Sequence, residues 1–208
     1  MSDSAFGDRA VHIRIEGKRF GDAAVLGSIA LDVASGRTVA ITGPSGIGKS
    51  TLLRIVSGLD HDFEGEVRAP ARISPVFQEP TLLPWLTALD NLTVVTGAST
   101  EEAERVMQTV GLENKQAHYP HQLSLGQQRR LSLARAFVSN PELLVMDEPF
   151  ASLDEQKADE IMALTRQLIE DSGVTAILVT HALAEARALG AETFHLSGQP
   201  ATLTKGIV

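Results

Sequence analysis

The stretch Gly43-Pro44-Ser45-Gly46-Ile47-Gly48-Lys49-Ser50, continued by Thr51, matches the pattern G-x-x-x-x-G-K-[ST], whose chemistry is to hold phosphate. Its glycines let the backbone curl so that successive N–H groups point inward at phosphate oxygens. A helix beginning straight after them adds the partial positive charge of its N-terminus. Lys49 then reaches the β and γ phosphates of a nucleoside triphosphate, and the Ser50 hydroxyl ligates the Mg²⁺ that bridges them. A Gly-rich turn that binds nothing is the alternative. The flanks argue against it, because the apolar run Thr38-Val39-Ala40-Ile41-Thr42 leads into the loop and a helical run ending at Gly58 leaves it.

Asp147-Glu148-Pro149 follow a second apolar run, Leu143-Leu144-Val145-Met146. Taken alone the pair is ambiguous, since charged residues often mark a strand end. Beside a phosphate loop, one acid on a neighbouring strand tip can hold Mg²⁺, commonly through water, and a second can orient or deprotonate the attacking water. Asp147 is assigned to the metal and Glu148 to the water. His181 closes a third run, Ala176-Ile177-Leu178-Val179, where it can hydrogen-bond the γ-phosphate and that water; a lone strand-end histidine is otherwise structural. Gln78, after Ser74-Pro75-Val76-Phe77, can touch Mg²⁺ or water through its amide, although loop glutamines are ordinarily just solvated.

These groups meet only if the three apolar runs are neighbouring strands of an open α/β sheet, which places ligands at the carboxyl edge of its strands. Short β-rich runs alternating with helical patterns support such a mainly parallel sheet. Between Gln78 and Asn140 the texture turns helical. Ser99 and Glu102 form a capping box, Ala103, Val106, Met107 and Val110 recur at helical spacing, and Gly111 stops the helix. A further helix after Asp154 carries Ile161, Leu164 and Leu168 on one face and ends near Gly173. The expected organisation is a single domain over 1–208, with a sheet core at about 1–77 and 141–208 and a helical lobe at about 78–140.

Composition narrows the classes. The 208 residues are 43% hydrophobic but only 4% aromatic, which suits a core of Ala, Val, Ile and Leu. Zero cysteines exclude disulfides and thiolate chemistry, and a net charge of −8 offers no broad basic face for nucleic acid, leaving only a local patch at Gln127 to Arg130. No stretch approaches the roughly 18 apolar residues of a membrane span. The opening MSDSAFGDRA lacks the basic and apolar regions of a signal peptide, so the chain is expected in the cytoplasm.

Leu123-Ser124-Leu125-Gly126-Gln127, followed by Gln128-Arg129-Arg130, resembles the signature segment of the ABC ATPases. Alone, Ser and Gly ahead of a helix are a standard N-terminal cap. Here the segment joins the phosphate loop, Gln78, Leu143 to Glu148, Ala151-Ser152-Leu153-Asp154 and His181 in the family's order, over nearly the whole chain. The resemblance implies the P-loop NTPase-type core with an N-terminal antiparallel β part and an inserted helical lobe. It also implies a head-to-tail dimer with two ATP molecules at the interface. Each ATP is then held by the phosphate loop of one copy and by Ser124, Gly126 and Gln127 of the other. Asp154 looks like the loop acid linking the two sites. Phe20, in Arg19-Phe20-Gly21, looks like the aromatic that stacks on adenine, while an aromatic near an early strand is also a common core residue. The sequence departs from the family pattern at Leu125, where a glycine is usual, at Ala182 after the histidine, and at Phe20, where tyrosine is frequent. Leu125 needs room at a tight interface and a backbone that avoids positive φ.

The segment Thr81-Leu82-Leu83-Pro84-Trp85-Leu86-Thr87 holds the only tryptophan. It is either an apolar landing site for a partner helix or a plug of the lobe itself. Phe77 to Leu92 resembles the coupling region of bacterial importers for nitrate, sulfonate, taurine and related solutes. That likeness implies an ATPase on the inner face of the cell membrane, docked on integral membrane permease subunits and served indirectly by an external solute-binding protein. A chain ending at Val208 is also expected to lack the regulatory domain of longer importer ATPases. The alternatives are an exporter or lipid-transfer ATPase, or a soluble ABC protein acting on nucleic acid or ribosomes.

Overall fold

Runs rich in Val, Ile and Thr supply the strands, because branched Cβ atoms favour a pleated backbone. The computed structural model describes residues 9–206, so most of the opening stretch, with its expected lack of a signal peptide, and the chain end lie outside the described residues. The first half contains β1 (Arg9–Phe20), β2 (Ala23–Leu26), β3 (Ile29–Ala34), β4 (Thr38–Thr42), α1 (Lys49–Val56), β5 (Glu64–Arg68) and β6 (Ile73–Val76). Three helices follow: α2 (Ala88–Thr96), α3 (Thr100–Thr109) and α4 (Leu125–Val138). The last part alternates β7 (Leu143–Asp147), α5 (Glu155–Ser172), β8 (Thr175–Thr180), α6 (Leu183–Ala188), β9 (Glu192–Gly198) and β10 (Ala201–Lys205).

Strands β6, β7, β8, β4 and β9 are parallel neighbours in that order, and β10 adds antiparallel to β9. β2, β3 and β5 all pair antiparallel with β1, so the sheet is mixed and has a separate antiparallel region at its N-terminal end. β1 runs on past its alternating buried residues Val11, Ile13 and Ile15. Glu16 to Phe20 do not alternate cleanly, and pairing with β5 and then β2, across a bulge between Lys18 and Arg19, carries the strand onward.

The parallel strands are buried on both faces, and side chains that alternate along them divide between two cores. Leu144, Met146, Ala176 and Leu178 join the apolar residues of α2 to α6. Leu143, Val145, Ile177 and Val179 join α1 and the antiparallel strands. The core of the helical segment is thus continuous with one face of the sheet: Ala103, Met107, Leu123 and Leu131 belong to the same cluster as Leu144 and Met146. The capping box of α3 forms as expected between Ser99 and Glu102. Among the described residues, no helix is long and apolar enough to cross a membrane.

Candidate nucleotide-binding and hydrolysis site

β4, β8, β7 and β6 lie side by side, and their carboxyl ends deliver the chemistry. Registers Thr42↔Thr180, Asp147↔Val179 and Val76↔Met146 bring the phosphate loop, His181, the acidic pair and Gln78 to one edge.

The phosphate loop spans the gap between β4 and α1. Gly48 sits at φ 111° at the head of α1, and a Cβ there would lie 2.7 Å from the Leu26 side chain, so both backbone and space demand glycine. No side chain caps α1 and its first turn holds no acid, which leaves the N–H groups at Lys49, Ser50 and Thr51 facing the loop as donors for an anion. Ile47 packs against the core, while Pro44, Ser45 and Gly46 are exposed along the rim. Lys49 is buried, and its Nζ donates to the carbonyls of Gly43 and Pro44 at 3.0 Å each.

Lys49, Glu148 and His181 form a line. Lys49 Nζ lies 3.5 Å from Glu148 Oε1, and His181 Nδ1 lies 3.2 Å from Glu148 Oε2. The Glu148 backbone takes φ 45° and its N–H donates to Val179 O at 3.0 Å, a strained turn that aims the carboxylate back over the edge. Asp147, half-buried, lines a small cavity with Ser50. Burial pushes its carboxyl above the usual range and the Glu148 charge adds to this, against the Ser50 hydroxyl and the Lys49 charge. Two hard oxygens, Ser50 Oγ and the Asp147 carboxylate, therefore meet where a divalent cation would relieve that destabilised charge, and the donor set fits Mg²⁺. Gln78 is exposed two residues past β6 and level with Glu148; among the described residues no hydrogen bond joins it to the loop or the acids.

The other expected residues lie apart from this edge. Ser124 caps α4 in a reciprocal box with Gln127: Gln127 N–H donates to Ser124 Oγ at 3.3 Å, and Ser124 N–H donates to Gln127 Oε1 at 3.0 Å. Ser124, Gly126 and Gln127 line a cavity of about 370 Å³ shared with Gly111 and Lys157, none of them from the phosphate loop. Leu125 begins α4 with its side chain exposed, and it is absent from the positive-φ residues, so its backbone concern does not arise. Asp154 caps α5 and pairs with Lys157 at 2.6 Å. Phe20 is 54% exposed, which removes the core alternative; the buried Lys18 ammonium lies 4.6 Å from its ring centroid, held by Asp60 at 2.9 Å.

Sequence reasoning missed Lys18, Arg129 and Glu185. Lys18 and Arg129 are buried cations whose partners are remote in sequence. Glu185, behind His181, accepts a hydrogen bond from the buried Thr180 hydroxyl at 2.5 Å, and burial raises its carboxyl. The basic patch considered at Gln127 to Arg130 does not form as a surface, because Arg129 is buried and Arg130 turns to Glu160 at 3.3 Å. Trp85 is 70% exposed whereas Leu82 packs on the core, so the segment splits between the two readings given for it.

The family model described as ABC transporter matches residues 26–151. The chain belongs to the ABC transporter family. The aliphatic sulfonates import ATP-binding protein of Burkholderia cenocepacia (strain HI2424) is 41% identical over 199 residues, covering 90% of this chain and 74% of that protein. The protein of that description from Rhodococcus jostii (strain RHA1) is 43% identical over 184 residues, covering 86% and 75%. Among solved structures, a dimeric ATP-binding cassette in a post-hydrolysis state bound to ADP and Pi is similar at 31% identity and TM-score 0.79, covering 95% of this chain and all of that one. As an ABC cassette, this chain binds and hydrolyses ATP.

Proposed function

We propose that two copies of this chain form the ATPase of an importer for aliphatic sulfonates or related small organic anions, working through separate membrane permease subunits and fed by an external binding protein. The observation that carries the catalytic part is the line Lys49–Glu148–His181 beside the cavity that Ser50 and Asp147 share. The sulfonate relatives carry the substrate class. The chain acts as one domain over 1–208, with residues 78–140 as a lobe on the sheet core, peripheral to the inner face of the cell membrane.

In this reading the N–H groups of Gly43 and of Ser45 to Thr51, together with the Lys49 ammonium, hold the triphosphate, with Phe20 stacked on adenine. Ser50 and Asp147, with Gln78 reaching in from the lobe side, hold Mg²⁺. When bound, Mg²⁺ neutralises charge developing on the β and γ phosphate oxygens. Glu148 takes the proton of the attacking water as its oxygen bonds to the γ phosphorus and the bond to ADP breaks. His181 holds Glu148 and the γ-phosphate in one orientation.

Ser124, Gly126 and Gln127 open a cavity that no residue of their own phosphate loop lines. The family resemblance implies for them a place on the ATP of a second copy, where the head of α4 presents donors to a γ-phosphate and Asp154 links the two sites. The exposed Trp85 offers a landing site for the membrane subunit.

The test is gentle detergent extraction, capture through a tag on this chain, and assay of Mg²⁺-dependent ATPase activity in the captured complex. A polytopic partner whose complex hydrolyses ATP faster with a sulfonate-loaded binding protein is expected. An active ATPase recovered only with soluble partners overturns the importer reading.

A further inference from the structure

Arg129 lies on α4, five residues after Ser124, and is only 4% exposed. Its Nη1 donates to the carbonyl of Phe77 at 3.1 Å and its Nη2 to the carbonyl of Ala151 at 3.0 Å. Nε is buried with no hydrogen-bond partner among the described residues. Phe77 directly precedes Gln78, and Ala151 lies between Glu148 and Asp154. Further along the same helix, Arg135 donates to Pro80 O at 3.1 Å and to Thr81 O at 2.8 Å. The loop carrying Gln78 is thus tied to α4 on both sides, and Arg129 ties that loop and the 148–154 loop to the helix through one planar fork.

The chemistry favours geometry over stability as the reason for this residue. Burying a guanidinium is costly, an apolar side chain would fill the space more cheaply, and the two hydrogen-bond partners are neutral carbonyls; burial outweighs the charge of nearby Glu79, which makes no hydrogen bond to it. What the fork provides is two directed bonds at a fixed spacing and angle. A tilt of α4 therefore moves both loops together.

We propose that Arg129 is a positioning residue for ATP hydrolysis, making Gln78 and Glu148 follow helix α4 so that the water-activating groups come into register when the head of that helix seats on ATP. This rests on the reading that Ser124, at that head, meets the nucleotide of a second copy. Arg129 itself touches neither ATP nor the attacking water.

The experiment uses the full chain, with ATP affinity from equilibrium binding, kcat from phosphate release, and thermal unfolding as a check on the fold. Arg129→Met and Arg129→Lys are expected to keep ATP affinity within about twofold, since the phosphate loop is untouched, while kcat falls on the order of a hundredfold from misplaced loops. Arg129→Lys keeps the charge, but one ammonium does not span both carbonyls, so it restores stability without restoring kcat. It also decides the matter if Arg129→Met does not fold. Arg72→Met is the control: it loses bonds to Asn140 O and Glu142 at the amino ends of β6 and β7, away from the site edge, and is expected to lose stability with kcat within about twofold of wild type. Wild-type kcat in Arg129→Lys, or equal losses of kcat in Arg129→Met and Arg72→Met, overturns the proposal. Failure of the underlying reading is seen separately, as ATP-dependent dimerisation and kcat both unchanged in Ser124→Asp, which keeps the cap of α4.

Discussion

At the scale of single residues, Glu148 carries the most specific expectation. Its carboxylate lies between Lys49 and His181, at 3.5 and 3.2 Å, and a glutamine of the same shape keeps the contacts but accepts no proton. Glu148→Gln is expected to retain ATP binding and to lose about 10²- to 10⁴-fold in kcat, measured by phosphate release. Lys49→Ala is expected to differ in kind. It removes the ammonium that reaches the phosphates, so affinity and turnover fall together, affinity by about tenfold or more for a lost charge-assisted bond. Equal affinity losses in the two variants would contradict this division of roles.

At the scale of elements, two helix heads have opposite assignments. The head of α3 is closed on itself: the backbone N–H of Ser99, and then its hydroxyl, hold the Glu102 carboxyl below the usual carboxylate range. A depressed folded-state value means stabilisation above the unfolded value, lost as pH falls through the folded one. Glu102→Gln is therefore expected to be less stable than wild type near neutrality, with the difference vanishing in strongly acid solution. Denaturant melts across that range check it. The head of α4 is capped by Ser124 yet assigned to a partner's ATP. Ser124→Ala is expected to cost about 1 kcal/mol of stability and to weaken ATP-dependent dimerisation. Ser124→Asp keeps a cap but sets an anion against the γ-phosphate, so stability stays and dimerisation is lost. Sedimentation with ATP separates the two effects.

At the scale of the whole molecule, the proposed site is divided between a sheet edge and the head of α4 in a second copy, which would make assembly a condition of activity. Glu148→Gln is expected to sediment as a dimer with ATP and as a monomer without it. Trp85, 70% exposed on the segment that follows Gln78, is proposed for a different interface. Trp85→Ala is expected to leave the ATPase activity of the isolated chain unchanged while membrane subunits no longer co-purify.

The phosphate cradle was legible in the sequence because it is a local object, in which glycines, lysine and serine within one strand-to-helix turn meet whatever the rest of the chain does. The strands ending at Thr42, Asp147 and Thr180 were legible as apolar runs with polar tips, and the order of these motifs established the family. Tertiary structure alone decided which tips are neighbours, since a fully buried run such as Thr175 to Thr180 does not name the strand beside it. It also decided that Phe20 is exposed above a buried Lys18, and that Arg129 and Arg130, adjacent in sequence, turn in different directions. Arg129 finds its carbonyls 52 and 22 residues away, a pairing that packing creates and no local pattern encodes.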